Sequence, residues 1–326
     1  MSAEAPGRLQ GETPQQDARA IVIVGSYLVA LVMDVERIPI PGETVLARNF
    51  REAYGGKGSD MAVQAARLGA PVHFVGCIGD DDFGRAFARL MEEEGVNTDH
   101  LHARGELATG AGFIIKDKGG RNVITIDIGA NQLFAPADVD AAADRMAPGS
   151  VVLTQLEIPL ETALHAMQVG RARGATTILN TAPAHDLRSH HLSAVDYLTP
   201  NETEARVCLG LAPDDPTPDD EIARRLLALG CSCVVMTLGA RGCLIADAAG
   251  AQAVEAFPLG NVVDSNGAGD SFNAAFATAL TEGMPRERAA RFANAVAGLC
   301  CTRWDTVPSY HSRSEVDEFL AQAGGL

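Results

Sequence analysis

The chain's first strong apolar pattern is Ile21-Val22-Ile23-Val24, a β-branched run closed by Gly25, the signature of a short buried strand. Similar runs recur at VHFVG from Val72, VVLTQ from Val151, TTILN from Thr176, VDYLT from Val195 and CVVMT from Cys233. Between them lie segments with helical spacing, MAVQAARLGA, FGRAFARLMEEEG, PLETALHAMQVGRARG and DEIARRLLALG, several of them stopped by glycine. Strand alternating with helix predicts an α/β fold with a mostly parallel sheet covered on both faces. Two segments break the rhythm. GETVLARNFREAYGG and ATGAGFIIKDKGGRNVITIDIG alternate apolar with polar, and the second carries Gly119-Gly120, suited to a hairpin turn. They predict a small antiparallel flap over about residues 38–54 and 107–128. No internal repeat or Pro/Ser-rich linker divides the chain, so one domain over residues 20–326 is expected after a disordered polar tail at 1–19.

Composition narrows the function. With 326 residues, 47% of them hydrophobic, the chain can bury a large core. Asp and Glu number 42 against 26 Lys and Arg, a formal charge of −16 that argues against nucleic acid or an anionic membrane as partner. The N-terminal tail lacks the apolar core of a signal peptide, and no apolar run is long enough to span a bilayer. The seven cysteines are scattered without metal-ligand spacing and are expected to be free thiols of a cytoplasmic protein.

Chemistry concentrates at glycine-rich stretches. Tyr54-Gly-Gly-Lys-Gly-Ser-Asp60 runs straight into an amphipathic helix, and Asp264-Ser-Asn-Gly-Ala-Gly-Asp-Ser-Phe272 into an apolar one. Neither has the spacing of a Walker phosphate loop, and no dinucleotide fingerprint follows a strand, which sets aside a Rossmann dehydrogenase. Asp270 reads two ways. It is an N-cap, or it is a general base taking a proton from an attacking hydroxyl while the N–H groups of Gly267, Ala268 and Gly269 meet the charge on a transferring phosphoryl group. Asn201 and Glu204 in TPNETE have the spacing of a capping box, and a carboxylate there also suits hydrated Mg²⁺. Thr237-Leu-Gly-Ala-Arg-Gly242 reads as a turn whose glycines let a nucleotide lie close to the backbone.

In order along the chain, GGKG, GCIGDDDFG, TPNETE, TLGARG and DSNGAGDSFNAAF resemble the ribokinase family of sugar and nucleoside kinases, and PIPGET, QLEIPLE and NTAPA extend the likeness from about Ile21 to Leu320. The resemblance implies a three-layer α/β/α sandwich with a β-sheet lid, often paired lid to lid in a homodimer. It implies ATP as phosphoryl donor, with Asp270 as base and Gly267, Ala268 and Gly269 as anion hole. Asn201 and Glu204 would serve Mg²⁺ and phosphates; Thr237, Leu238, Gly239, Ala240, Arg241 and Gly242 would line the nucleotide site, with Asn294 near the adenine. A K⁺ site would fall on Asp264, Asn266, Cys300, Arg303, Asp305 and Ser309, mostly through backbone oxygens; Asp305 replaces a glycine of the ribokinase pattern.

The acceptor pocket would fall on Leu28, Ala30, Gly56, Lys57, Asp60 and Glu157, beside Asp270. Here the chain departs from that family's pattern. Where ribokinases carry G-S-x-N-x-D, this sequence reads Gly25-Ser-Tyr-Leu-Val-Ala30, so Leu28 and Ala30 stand in place of two hydroxyl-binding residues. Asp60 replaces an Asn, and when ionised it only accepts hydrogen bonds, which suits hydroxyl or amine donors. Glu157 keeps the family's residue. A site built to hydrogen-bond a hydroxyl loses a preference of roughly 10⁴-fold when the pairing is broken, so the expected acceptor is a hydroxymethyl compound other than ribose, a deoxygenated sugar or a nucleoside. A ligand sensor that keeps the fold without catalysis is the reading from a different class. Asp34 is either a stand-in for the lost Asp or a solvated lid residue, and Tyr27 either stacks on an acceptor ring or packs in the core.

Overall fold

The computed structural model describes residues 19–119 and 121–326. The tail expected at 1–19 therefore lies, but for Arg19, outside the described residues, as does Gly120 of the expected hairpin turn. The strands, in chain order, are β1 (Ile21–Val24), β2 (Leu28–Val35), β3 (Ala47–Gly55), β4 (Val72–Gly79), β5 (Asn97–Arg104), β6 (Gly110–Asp117), β7 (Asn122–Asp127), β8 (Val151–Thr154), β9 (Thr176–Asn180), β10 (Tyr197–Thr199), β11 (Cys233–Thr237), β12 (Cys243–Asp247) and β13 (Gly250–Val254). The helices are α1 (Lys57–Arg67), α2 (Asp82–Glu93), α3 (Pro136–Ala141), α4 (Leu160–Arg173), α5 (Glu202–Cys208), α6 (Asp219–Leu227), α7 (Ala268–Thr281), α8 (Arg286–Cys300) and α9 (Arg313–Gln322).

Nine strands form one sheet in the order β13-β12-β11-β10-β9-β8-β1-β4-β5. It is parallel from β11 to β5, with an antiparallel edge at β12 and β13. The strand β1 shows why the sheet is covered on both sides. Its side chains alternate, Ile21 and Ile23 entering one core with Met61, Phe87, Phe276 and Phe292, and Val22 and Val24 entering the other with Val139, Ala163, Ala205 and Ile222. Both faces are apolar, so helices pack on both: α1, α2, α7, α8 and α9 on the first, α3 to α6 on the second. All seven cysteines are free, as expected, and six are buried.

The second sheet has the order β3-β2-β6-β7. The expected segments 38–54 and 107–128 supply β3, β6 and β7, but residues 38–46 contain no strand, and the sheet takes in β2, which pairs antiparallel to β3 and parallel to β6. The apolar run of β2 follows β1 too closely to stand out from it in the sequence. Its register sets what the sheet shows to the main body. Ala30, Ala53, Gly112 and Ile126 lie in one row across the sheet, and Val32, Arg51, Ile114 and Ile124 in the next.

Candidate active site

The chain returns to one edge of the main sheet wherever a parallel strand ends, and loops collect there: Ser26 after β1, Glu157 after β8, Thr181 after β9 and Asn201 after β10. In open α/β sheets the carboxyl ends of strands are where ligands bind. Two helices also begin at this edge, each at a glycine held at positive φ. Gly56 (φ 89) precedes α1, and a Cβ there would sit 2.7 Å from Leu28 N. Gly267 (φ 77) precedes α7, where a Cβ would stand 2.7 Å from Tyr310 Oη. Only glycine meets both demands, left-handed backbone and close approach.

The two helix starts put Lys57 and Asp270 together, with Nζ 4.0 Å from Oδ1. Asp270 is 7% exposed, on the first turn of α7. Burial pushes its carboxyl up to about 6; the Lys57 ammonium opposes this, and Glu157 and Glu204 add to it. The same carboxylate, Asp270, is the main reason Lys57 holds its proton more tightly than an ordinary lysine. The first-turn N–H groups of a helix have no intrahelical partner. That of Ala268 reaches Ser265 O at 3.3 Å, a long contact that an incoming anion can replace. Behind this turn Asn273 Nδ2 donates to Gly269 O at 2.8 Å and Thr199 Oγ1 donates to Asn273 Oδ1 at 2.6 Å, tying the helix start to the end of β10.

A cavity of about 220 Å³ opens in front of Asp270. Its ceiling is the small sheet, with Leu28, Ala30, Val32, Ala53, Ile114 and Ile126; its floor carries Gly56, Lys57, Asp60, Glu157 and Asp270. Leu28 and Ala30 thus share one cavity with Asp60, Glu157 and Asp270. Glu157 accepts from Ser26 Oγ at 2.6 Å and Lys57 N at 2.8 Å, and Gln155 Nε2 donates to Ser26 Oγ at 2.7 Å. Burial, then Asp270 and Glu157, push the Asp60 carboxyl well above the ordinary range. Asp34 is not a stand-in for the lost Asp: it lies in a separate, wider cleft of about 1430 Å³ at the outer end of the small sheet and accepts from Asn49 Nδ2 at 3.0 Å. Tyr27 packs in the core, stacked on Phe87 with ring centroids 4.1 Å apart.

The other expected site residues fall into two groups. Asn201 caps α5, its Oδ1 accepting from Glu204 N at 2.8 Å while Glu204 accepts from Asn201 N at 3.0 Å, the reciprocal capping box. Thr181 Oγ1 also donates to Glu204, at 3.2 Å. Asn201 bridges to Thr237, which leads into Leu238 and the short 3₁₀ turn Gly239–Arg241, closed by Gly242. Arg241 is turned away to Glu202 and Asp219. Asn294 is buried, and its Nδ2 donates to Val254 O at 3.1 Å and Glu255 O at 3.2 Å, so it fixes the end of β13.

The residues of the expected cation loop do gather. Asp264 accepts from Asn266 N at 3.0 Å and from Asp305 N at 3.3 Å; Cys300 Sγ meets Ser309 Oγ at 3.1 Å, and Arg303 N donates to Cys300 O at 3.3 Å. Asp305 has φ 66, the left-handed conformation a glycine would take. Its side chain points to the small sheet, where Arg51 lies at 3.3 Å and Lys116 at 3.8 Å, while Arg303 is paired outward with Glu315 at 2.7 Å. Among the described residues no group of three His, Cys, Asp or Glu side chains is arranged to hold a metal. Ser26, Thr181, Asn273, Arg51 and Lys116 went unnoticed in the sequence, since each is a single polar residue whose partner lies far along the chain.

The model of the pfkB family carbohydrate kinases matches residues 18–313. The chain is 35% identical over 305 residues to the ribokinase of Haemophilus influenzae, covering 94% of this chain and 99% of that protein. It is 33% identical over 302 residues to a deoxyribokinase of Salmonella typhi, covering 92% and 98%. The structure of an Arabidopsis thaliana ribokinase complexed with ribose and ATP superposes with a TM-score of 0.82 at 29% identity, covering 92% of this chain and 98% of the other.

Proposed function

The chain belongs to the pfkB family of carbohydrate kinases and is ATP-dependent, and from that premise we propose that it phosphorylates the hydroxymethyl group of an acceptor other than ribose. The observation that carries the acceptor reading is the ceiling of the cavity, where Leu28 and Ala30 offer no hydrogen bond to a sugar hydroxyl. Asp270 takes the proton of the hydroxymethyl group, the freed oxygen attacks the γ-phosphorus, and the bond to the leaving ADP breaks. Charge on the transferring group is met by the N–H groups of Gly267 to Gly269 and by Lys57, which stands beside the base. A nucleoside acceptor is the second reading, favoured by the apolar surface that Ile114, Ile124 and Ile126 turn to the cavity.

Glu204 suits Mg²⁺, which takes one or two carboxylates and completes its shell with water and phosphate oxygens; bound there, the ion would neutralise phosphate charge. K⁺ fits the loop through Asp264 and the carbonyls around Cys300 and Asp305, because Asp305 keeps a glycine-like backbone. Asp305→Gly should therefore leave the dependence of kcat on K⁺ unchanged. The same change removes the pairs to Arg51 and Lys116 and should raise the acceptor KM by about two- to fivefold, the worth of part-exposed ion pairs. A KCl titration of both enzymes checks this, and lost K⁺ activation would contradict the assigned loop.

ADP release from Mg·ATP tests the acceptor. Ribose should be used roughly 10²-fold less efficiently than the best deoxygenated sugar or nucleoside, and Leu28→Asn/Ala30→Asp should recover most of that deficit. Strong turnover of ribose by the unaltered enzyme would overturn the pocket reading.

The small sheet also suits pairing with a second copy. On the face opposite the cavity, Phe113 is 47% exposed and Val123 43%, in adjacent strands. Sedimentation should show a dimer that Phe113→Asp converts to monomer; an unaltered mass would remove this face from the interface.

A further inference from the structure

The cavity floor carries more negative charge than phosphoryl transfer employs. Asp60, Glu157 and Asp270 line it together, with Lys57 the ammonium among them. Glu157 is satisfied by Ser26 and the Lys57 N–H, and Asp270 has Lys57 Nζ at 4.0 Å. Asp60 is different. It is 4% exposed on the first turn of α1, and its Oδ1 meets no hydrogen-bond donor. Desolvation and the two neighbouring carboxylates work against its charge more strongly than Lys57 and the Thr306 hydroxyl support it. Across the cavity, Leu28 and Ala30 present only apolar side chains. Lys116 at the rim is engaged with Asp305, 3.8 Å away.

A buried carboxyl in such a place is relieved by a proton or by a cation. A ligand that brings both hydrogen-bond donors and a positive charge gains the most from this wall. Resting on the kinase reading of the same cavity, we propose that the acceptor is a hydroxymethyl compound bearing a protonated amine, an amino sugar or amino alcohol, and that Asp60 selects it by pairing its carboxylate with the ammonium. The amine then lies against α1 while the hydroxymethyl oxygen reaches Asp270 at the start of α7. A neutral sugar supplies donors but no compensating charge.

Matched acceptors that differ in one amine test this: 2-amino-2-deoxyglucose against glucose, and 1-amino-1-deoxyfructose against fructose, followed by kcat/KM for ADP release and by ligand-induced thermal shift. The unaltered enzyme should favour the amine in at least one pair by ~30-fold or more, the scale on which a buried charge pair discriminates. Asp60→Asn should abolish that preference, bringing kcat/KM for the amine down to that of its neutral partner. Preference for the neutral members, or an amine preference that survives in Asp60→Asn, overturns the inference and leaves the kinase reading intact. Thermal stabilisation by the amines that Asp60→Asn abolishes, without ADP release from any acceptor, does the reverse.

Discussion

Asp270→Asn should lower kcat by about 10³-fold while leaving KM for ATP and for the acceptor within a few-fold, because it removes the proton acceptor and keeps the shape. Among the described residues the carboxylate makes one ion pair, to Lys57, and Asn is nearly isosteric, so the cavity has no reason to collapse. Stability gives the control. Burial raises the Asp270 carboxyl from its ordinary value to about 6, so the folded protein binds this proton more tightly than the unfolded chain does. Ionisation of Asp270 therefore costs stability as the pH rises from the ordinary carboxyl range towards 6, and that cost is fully present above it. At pH 8 the Asn variant should melt no lower than the parent. The parent's kcat should fall on acidification with an apparent pKa near 6, and this acid limb should vanish from the variant's residual activity. A variant that retains near-normal turnover would remove Asp270 from the role of base; one that melts well below the parent would make its loss of activity structural.

The second large effect is expected at Lys57. Lys57→Met should lower kcat by about 10²- to 10³-fold, the usual consequence of deleting a fixed positive group aimed at developing charge. Two contributions are separable by pH. Lys57 holds the Asp270 carboxyl down, so its removal should move the acid limb of kcat to higher pH. That part of the loss recovers as the assay is made alkaline. The remainder, lost stabilisation of the transferring phosphoryl group, does not. Complete recovery at high pH would confine Lys57 to tuning the base, and an unmoved acid limb would break the coupling between the two residues.

Much of this could be read in the sequence because it is decided locally. The run Ile21–Val24 and its counterparts become parallel strands wherever a β-branched apolar stretch ends at a turn, and the glycines before Lys57 and Ala268 open helices because no other residue fits their backbone. Those stretches, in their order, also carried the kinship to a kinase family. Less visible was β2, whose apolar residues adjoin β1 and carry no separate punctuation; its turn into the second sheet follows from pairing with β3 and β6.

The chemical state of the site was decided by the tertiary structure alone. Asp60 in the sequence is a carboxylate beside a glycine-rich turn; in the fold burial, with Asp270 and Glu157 beside it, pushes its carboxyl well above the ordinary range. Asp305 in the sequence stands where the ribokinase pattern has a glycine; in the fold it keeps the glycine conformation and sends its side chain to Arg51 and Lys116. Conformational preference belongs to a residue and its immediate neighbours, so sequence determines it. Charge state and partnership belong to the groups that folding brings within a few ångströms, and for Lys57, Asp60, Glu157 and Asp270 those groups come from α1, α7 and the end of β8, segments far apart along the chain.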